Sequence, residues 1–361
     1  MPELPHRLLS RDESLVIKAL CITIVVLHNF LHLRGFAAEN EFQFYQERAD
    51  AMWQMLQHPT LSLPLHVASF VVSYALVGFV FVSGYGLVKR YEHRPVDLGR
   101  CSFVGAHWFK LVRLLLPAMV LAFVTFYVAR GYRPLTWRET GLELSLLANL
   151  YYDNISIYPF VYWYLGMALQ LYVLYALVLH RRAGSYPWWH QCLLIALVAG
   201  CWLMQALSEP TGYPLYFMRV NLVGYVGAFV LGIVSARHLD HISLKPWKWM
   251  LVCVMSGVVM VCTLWRYQSW LLGWLPSAVF VVSLVKAAPW LKCRALLWLG
   301  GVSASLYVIH PVVREAVNSF GCSHVYADLL VYLVVSLLLA AGYAWLQRHL
   351  PGGRTAQCRR A

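Results

Sequence analysis

Apolar residues along this chain gather into long runs separated by short polar connections. Ten runs approach the roughly 20 residues that a helix needs to cross a bilayer. They lie at about 14–33, 64–88, 111–129, 159–179, 187–207, 214–236, 247–264, 267–286, 295–317 and 325–347. The pattern predicts an all-α fold, a polytopic membrane bundle of ten transmembrane helices forming one domain, core about 14–347, with a short basic tail over 348–361. An eleventh apolar stretch, Leu142 to Tyr152, is too short to cross and carries Glu143 and Asn149, so it reads as an interfacial or re-entrant piece. Arg7 and Arg11 ahead of the first run resemble a signal peptide, but the run is longer than a typical h-region and leads into a charged loop. It reads as an uncleaved first span. Two connections are larger: an outer loop over 34–63, in which Gln43 to Gln57 is suited to a surface helix, and an inner loop over 89–110 that is strongly basic.

Composition agrees with the runs. Of 361 residues 60% are hydrophobic and 12% charged, about half the charged fraction of a soluble domain. That composition excludes a soluble globular fold and a disordered chain alike. The 29 basic against 16 acidic residues do not form the clustered basic face that nucleic-acid binding requires. They instead set orientation: with ten spans and both termini cytoplasmic, 21 of the 29 basic residues fall on the cytoplasmic side, as the positive-inside tendency demands. Were 142–152 to cross, Arg181, Arg182 and the basic tail would face outward. The nine cysteines are never closer than nine residues, so no metal or redox spacing is present.

Ionisable groups inside spans are costly and mark function by default. His28 lies ten residues beyond Lys18 in the first span, roughly 15 Å along the axis and about 80° around it. Lys18 falls near the cytoplasmic surface and His28 beyond the midplane. An imidazole there can act as general base toward a hydroxyl; it can also hydrogen-bond a neighbouring helix, or pair with His32 at i, i+4 as metal ligands. The base is the favoured reading, and no metal centre is expected. In the ninth span Ser303, Tyr307, His310 and Arg314 form one polar stripe. Counting the helical rise places His310 and His28 at about a common depth, and Pro311 is expected to bend or loosen the helix there. Gly78, Ser83, Gly84 and Gly86 mark close packing at the inner end of the second span. Lys110 and Arg113, followed by Pro117, present charge at the inner surface. Trp163, Tyr164, Tyr151 and Tyr152 are placed near the outer face, where aromatic residues stack on sugars or simply belt the interface.

Lys18 to His28, FVFVSGYGL at 79–87, Lys110, Arg113 and Pro117, WYLGMALQLY at 163–172 and SASLYVIHP at 303–311, in that order and spacing, resemble the acyltransferase family 3 of membrane-bound O-acyltransferases from about Ser14 to Gln347. Lys18 stands where the family pattern has arginine, keeping the charge without the bidentate fork. The resemblance implies an integral protein of a bacterial cytoplasmic membrane, surrounded by its lipids. There it would pass an acyl group, often acetyl, from cytosolic acyl-coenzyme A to a hydroxyl of a cell-surface or lipid-linked glycan, with no bound cofactor. His28 then looks like the catalytic histidine with His310 beside it. Lys18, Ser83, Lys110 and Arg113 look like the donor site, and Ser303, Tyr307, Arg314 and Trp163 the cavity lining. No esterase-like domain follows the last span, so either the acceptor is acylated directly or a separate partner protein receives the group. The rival class is a transporter or flippase; it is disfavoured because the acids are expected in loops or at span ends, whereas coupled transporters carry intramembrane carboxylates.

Overall fold

The computed structural model describes residues 7–92, 99–131, 135–151, 162–321 and 324–349. The tail from 350, Tyr152, and the first residues of the 159–179 run lie outside these. No strand occurs among the described residues. The chain forms α1 (Arg11–Leu31), α2 (Gln46–Gln57), α3 (Leu63–Phe70), α4 (Val72–Leu87), α5 (Arg100–Arg130), α6 (Trp137–Ser145), α7 (Trp163–Leu174) and α8 (Trp188–Ala206). It continues with α9 (Tyr213–Arg219), α10 (Val226–Val234), α11 (Pro246–Cys262), α12 (Tyr267–Trp270), α13 (Trp274–Ala287), α14 (Arg294–Phe320) and α15 (Val325–His349). Each of the ten apolar runs falls on one of these helices or on a broken pair. Among the described residues six helices are long and apolar enough to cross a membrane, and the bent pair of α3 and α4, turned by 45°, makes a seventh. The apolar helices 163–179, 226–239 and 274–287 are shorter. The expected surface helix is α2. The stretch around Glu143 stops as α6, its chain turning through a left-handed Leu146, so it does not cross.

The helices start where the sequence caps them. Ser10 accepts from the Glu13 amide while the Glu13 carboxylate accepts from Ser10, a capping box that fixes the beginning of α1. Thr136 and Glu139 do the same for α6. Glu13 also receives Lys286 at 3.0 Å and Lys292 at 3.5 Å, tying the start of α1 to the end of α13 and the approach to α14.

Packing around the centre is helix on helix with backbone contact. Gly300 of α14 lies against the Leu15 carbonyl of α1, so closely that a Cβ would overlap it. Gly84 of α4 and Gly232 of α10 meet the carbonyls of Phe229 and Phe81 in the same reciprocal way. Gly78 packs on Cys21, whereas Gly86 faces open space and takes no part in the close approach expected of it. Pro311 lies inside α14, which runs unbroken from Arg294 to Phe320; the proline removes one donor without ending the helix. The lateral faces of α5, α8, α11 and α15 carry exposed Val120, Val124, Ile195, Leu203, Leu251, Val258, Leu330 and Leu338, the surface a bilayer would cover.

Polar contacts collect at the two ends of the bundle. At one end Lys89 pairs with Asp240 at 2.5 Å, and the Leu8 amide and Tyr85 hydroxyl donate to the same carboxylate. Beside them the π-helical turns Val88–Glu92, Tyr175–Leu179 and Ser235–Leu239 converge. Arg237 donates to both Glu92 oxygens, at 2.6 and 2.9 Å, and to the Leu179 carbonyl at 2.6 Å. At the other end Arg34 pairs with Asp328 at 3.0 Å and donates to Asn318. There, too, Phe44 donates to the Pro210 carbonyl, Gln46 to that of Trp265 and the Trp270 indole to that of Asn40.

Candidate functional site

The half of the site nearer Arg34 and Asp328 is built by α1, α14 and the segment that follows α1. Gly35 adopts a left-handed φ of 79° and turns the chain back over the end of α1, so that residues 37–41 lie against the bundle. The Ser69 hydroxyl donates to the Ala37 carbonyl at 2.9 Å, and Ala37 donates to His66 at 3.0 Å, holding the returning chain in place.

His28 is buried. Its Nδ1 lies 2.7 Å from the Ser69 carbonyl, an acceptor only, so Nδ1 carries the proton and Nε2 presents its lone pair. Nε2 lies 3.7 Å from Oε1 of Glu39, and Nδ1 of the partly exposed His32 lies 3.7 Å from Oε2 of the same carboxylate. The two imidazoles stack at 5.2 Å. Ligand atoms of His28, His32 and Glu39 all lie within 4.8 Å of one another, an arrangement able to hold a metal ion. Burial pushes the Glu39 carboxyl up to about 7 against the opposing pull of Arg48.

The stripe on α14 faces inward as its spacing predicts, with Ser303, Tyr307, His310 and Arg314 all buried. His310 is held through Nδ1 to the Leu306 carbonyl at 3.0 Å, while its buried Nε2 has no hydrogen-bond partner among the described residues. Arg314 donates to the side chain of Asn29 at 3.1 Å and to its carbonyl at 3.3 Å, placing its charge within electrostatic reach of both His28 and His310. The two histidines also lie within electrostatic reach of each other. Ser303 is spent on its own helix, donating to the Gly300 carbonyl at 2.9 Å.

Aromatic side chains continue the wall. Tyr307 meets Tyr164 at 5.4 Å, Tyr164 meets Trp163 at 6.1 Å, and Trp163 meets Phe42 and Tyr225. The Tyr162 hydroxyl donates to the Val308 carbonyl at 2.7 Å, fixing α7 to α14. Trp163 therefore reaches the stripe through Tyr164, the neighbour singled out with it from sequence. Two more acids face this wall. Burial and the neighbouring Glu39 hold the Glu41 carboxyl above its ordinary range, opposed by Arg219, and burial pushes Glu143 up to about 8; both act on Tyr307.

The half of the site toward Glu13 and Asp240 holds the other predicted residues less tightly together. Lys18 and the exposed Lys110 lie within electrostatic reach of each other, and Lys18 forms no ion pair among the described residues. Arg113 instead donates to the Gln347 carbonyl at 3.0 Å while Gln347 donates back to the Arg113 carbonyl, which pins α5 to α15. Ser83 lies 3.4 Å from the Tyr172 hydroxyl, whose ring packs on His107 at 4.6 Å, one turn before Lys110. On unbroken α1, Lys18 and His28 are separated by about 15 Å of rise.

No curated protein and no solved structure matches the chain. Residues 15–346 do match an acyltransferase domain, covering nearly the whole sequence including α1, the basic start of α5 and the stripe on α14. An integral membrane helix bundle with a buried histidine pair between α1 and α14 thus belongs to acyltransferase family 3.

Proposed function

We propose that this acyltransferase moves an acyl group, acetyl being the simplest, from cytosolic acyl-coenzyme A to a hydroxyl of a glycan exposed on the outer side of a bacterial cytoplasmic membrane. The observation that carries the reading is the state of His28: its Nδ1–H is fixed on the Ser69 carbonyl at 2.7 Å, and its Nε2 lone pair is directed away, with His310 within electrostatic reach. That is the tautomer a general base needs. In the reaction Nε2 takes the acceptor hydroxyl's proton as that oxygen bonds to the thioester carbonyl carbon. The carbon–sulfur bond then breaks and the leaving thiolate receives the proton from His28. His310 and Arg314, buried beside it, are placed to orient the acyl group and to steady developing negative charge.

Ten crossings with both termini inside support this two-sided use. Leu8, Glu13, Glu92, Asp240, Lys286 and Gln347 lie at the cationic end, whereas Arg34, Ala37, Asn318 and Asp328 lie at the other. This separation of the two ends is what alternating directions of successive runs would give, and so supports the reading. The cationic end, with Lys18 and Lys110, suits the phosphates of the donor, whose flexible arm would carry the thioester toward His28. Ser83, Tyr172 and His107 would flank that path. Trp163, Tyr164 and Tyr307, with the acids Glu41 and Glu143, supply stacking faces and hydroxyl partners for a sugar. Those two acids enter from segments outside the crossing helices; Glu315, buried on α14 next to Arg314, is the carboxylate that a transporter reading would have to use. A separate partner protein is needed only if the acceptor cannot itself reach this wall.

The test is acyl transfer by purified protein in lipid nanodiscs, followed by mass spectrometry of glycans from cells with and without the gene. His28→Ala should lower turnover by about 10²- to 10⁴-fold, the usual worth of a positioned base, with donor binding retained. Wild-type turnover in a folded His28→Ala protein would remove the assignment.

A further inference from the structure

Glu39 lies on a returning outer segment yet sits against two histidines of the first span, and nothing in the transfer reaction requires it. Four features of the cluster point to a cation rather than to a simple contact. His28 Nε2, His32 Nδ1 and the Glu39 carboxylate are the ligand types of zinc sites, two histidines one helical turn apart and a carboxylate from elsewhere. Each imidazole nitrogen lies 3.7 Å from a Glu39 oxygen, and the three ligand atoms all lie within 4.8 Å of one another, against the roughly 3.4 Å that tetrahedral bonds of 2.0 to 2.1 Å impose, so side-chain rotations would close the set. His28 already donates its other ring nitrogen to a backbone carbonyl, the outer support that metal-bound histidines have. Among the described residues Glu39 Oε2 is buried without a hydrogen-bond partner, which is costly unless something positive comes to it. His32 is 38% exposed at its side chain and provides the route in from outside.

We propose that His28, His32 and Glu39 form a binding site for one divalent transition-metal ion, zinc being the best match, and that its occupancy inhibits acyl transfer by taking the His28 lone pair. Two neutral imidazoles and one carboxylate leave a net positive complex. Arg314, reaching Asn29, and Arg48, reaching the Glu39 carbonyl at 2.6 Å, add to that charge. The site is therefore one that fills when the ion is raised in the outer compartment and empties when it falls. Ion binding stands independently of the proposed function, whereas inhibition rests on His28 being the base.

The experiment uses the full chain in detergent. Equilibrium dialysis with Zn²⁺, and Co²⁺ as a visible-absorbing substitute, should give one saturable ion per chain with tetrahedral cobalt bands. Outer supports alone are worth about 10- to 100-fold in affinity, so His32→Ala and Glu39→Gln should each weaken binding by at least about tenfold. Zn²⁺ should inhibit the wild type and a chelator should restore it. His32→Ala, changed at a partly exposed side chain, should keep basal turnover and resist inhibition. Absence of stoichiometric binding, or binding unchanged in both variants, overturns the site. Binding without inhibition upholds the site and counts against His28 as base.

Discussion

Replacing Glu143 by glutamine separates the cost of its burial from everything else α6 does. The side chain is 5% exposed, and burial alone lifts its carboxyl from an ordinary 4.5 to about 8, with no hydrogen bond or nearby cation offsetting it. The folded protein therefore holds a proton that the unfolded chain has released. Stability from this group is fully present below pH 4.5 and is lost as the pH rises toward about 8. The interval of 8 − 4.5 = 3.5 pH units, at 1.36 kcal/mol each, amounts to about 5 kcal/mol. Glu143→Gln keeps the shape and stays neutral, so wild type and variant should melt together near pH 4 and diverge steadily toward pH 8, with the variant higher. Thermal unfolding in detergent, read by tryptophan fluorescence at half-unit pH steps, measures the divergence. A difference that is constant with pH, or a wild type more stable at pH 8, would refute the account.

Other expectations follow from single contacts. Lys110→Ala should weaken coenzyme A binding several-fold at low ionic strength and hardly at all in 1 M salt, where the screening length is about 3 Å; calorimetry at two salt concentrations decides it, and equal losses at both would exclude a charge contact. Arg237→Ala should cost about 3–5 kcal/mol by stranding Glu92 among buried groups, while the double variant with Glu92→Ala should recover part of that; a double variant less stable than either single one would contradict this. In a cysteine-depleted background, a membrane-impermeant thiol reagent should leave Cys101 untouched on intact cells and label His58→Cys; the reverse would invert the topology.

Much of the fold was legible because membrane spans announce themselves locally. Each of the ten apolar runs lies on a helix or a broken pair, and α2 begins within three residues of its expected start. The stripe of α14 needed only helical spacing, and Lys18 and His28 keep the separation counted from sequence. What periodicity could not supply was the return of residues 37–41. Their burial depends on Gly35 turning left-handed and on Ser69 and His66, some thirty residues away, accepting the chain. Glu39 and Glu41 therefore read as solvated loop charges although they lie against the site. Gly35 directly after the last turn of α1 was the one local hint. The contact of Arg113 with Gln347 was out of reach for a related reason: the two lie 234 positions apart, and no spacing along the chain announces it.

The contact between Gly300 and the Leu15 carbonyl limits how this protein can breathe. Two helices touching backbone to backbone cannot slide or spread without breaking that contact, and no lipid tail or water fits between them there. His28 and His310 therefore travel as one body, with their spacing set before any substrate arrives. Under the proposed function, the motion that would admit a donor from one side and an acceptor from the other falls to the helices around this pair, notably α5 and α7. A variant that slows exchange of substrates while leaving the histidine pair intact should map to those outer helices.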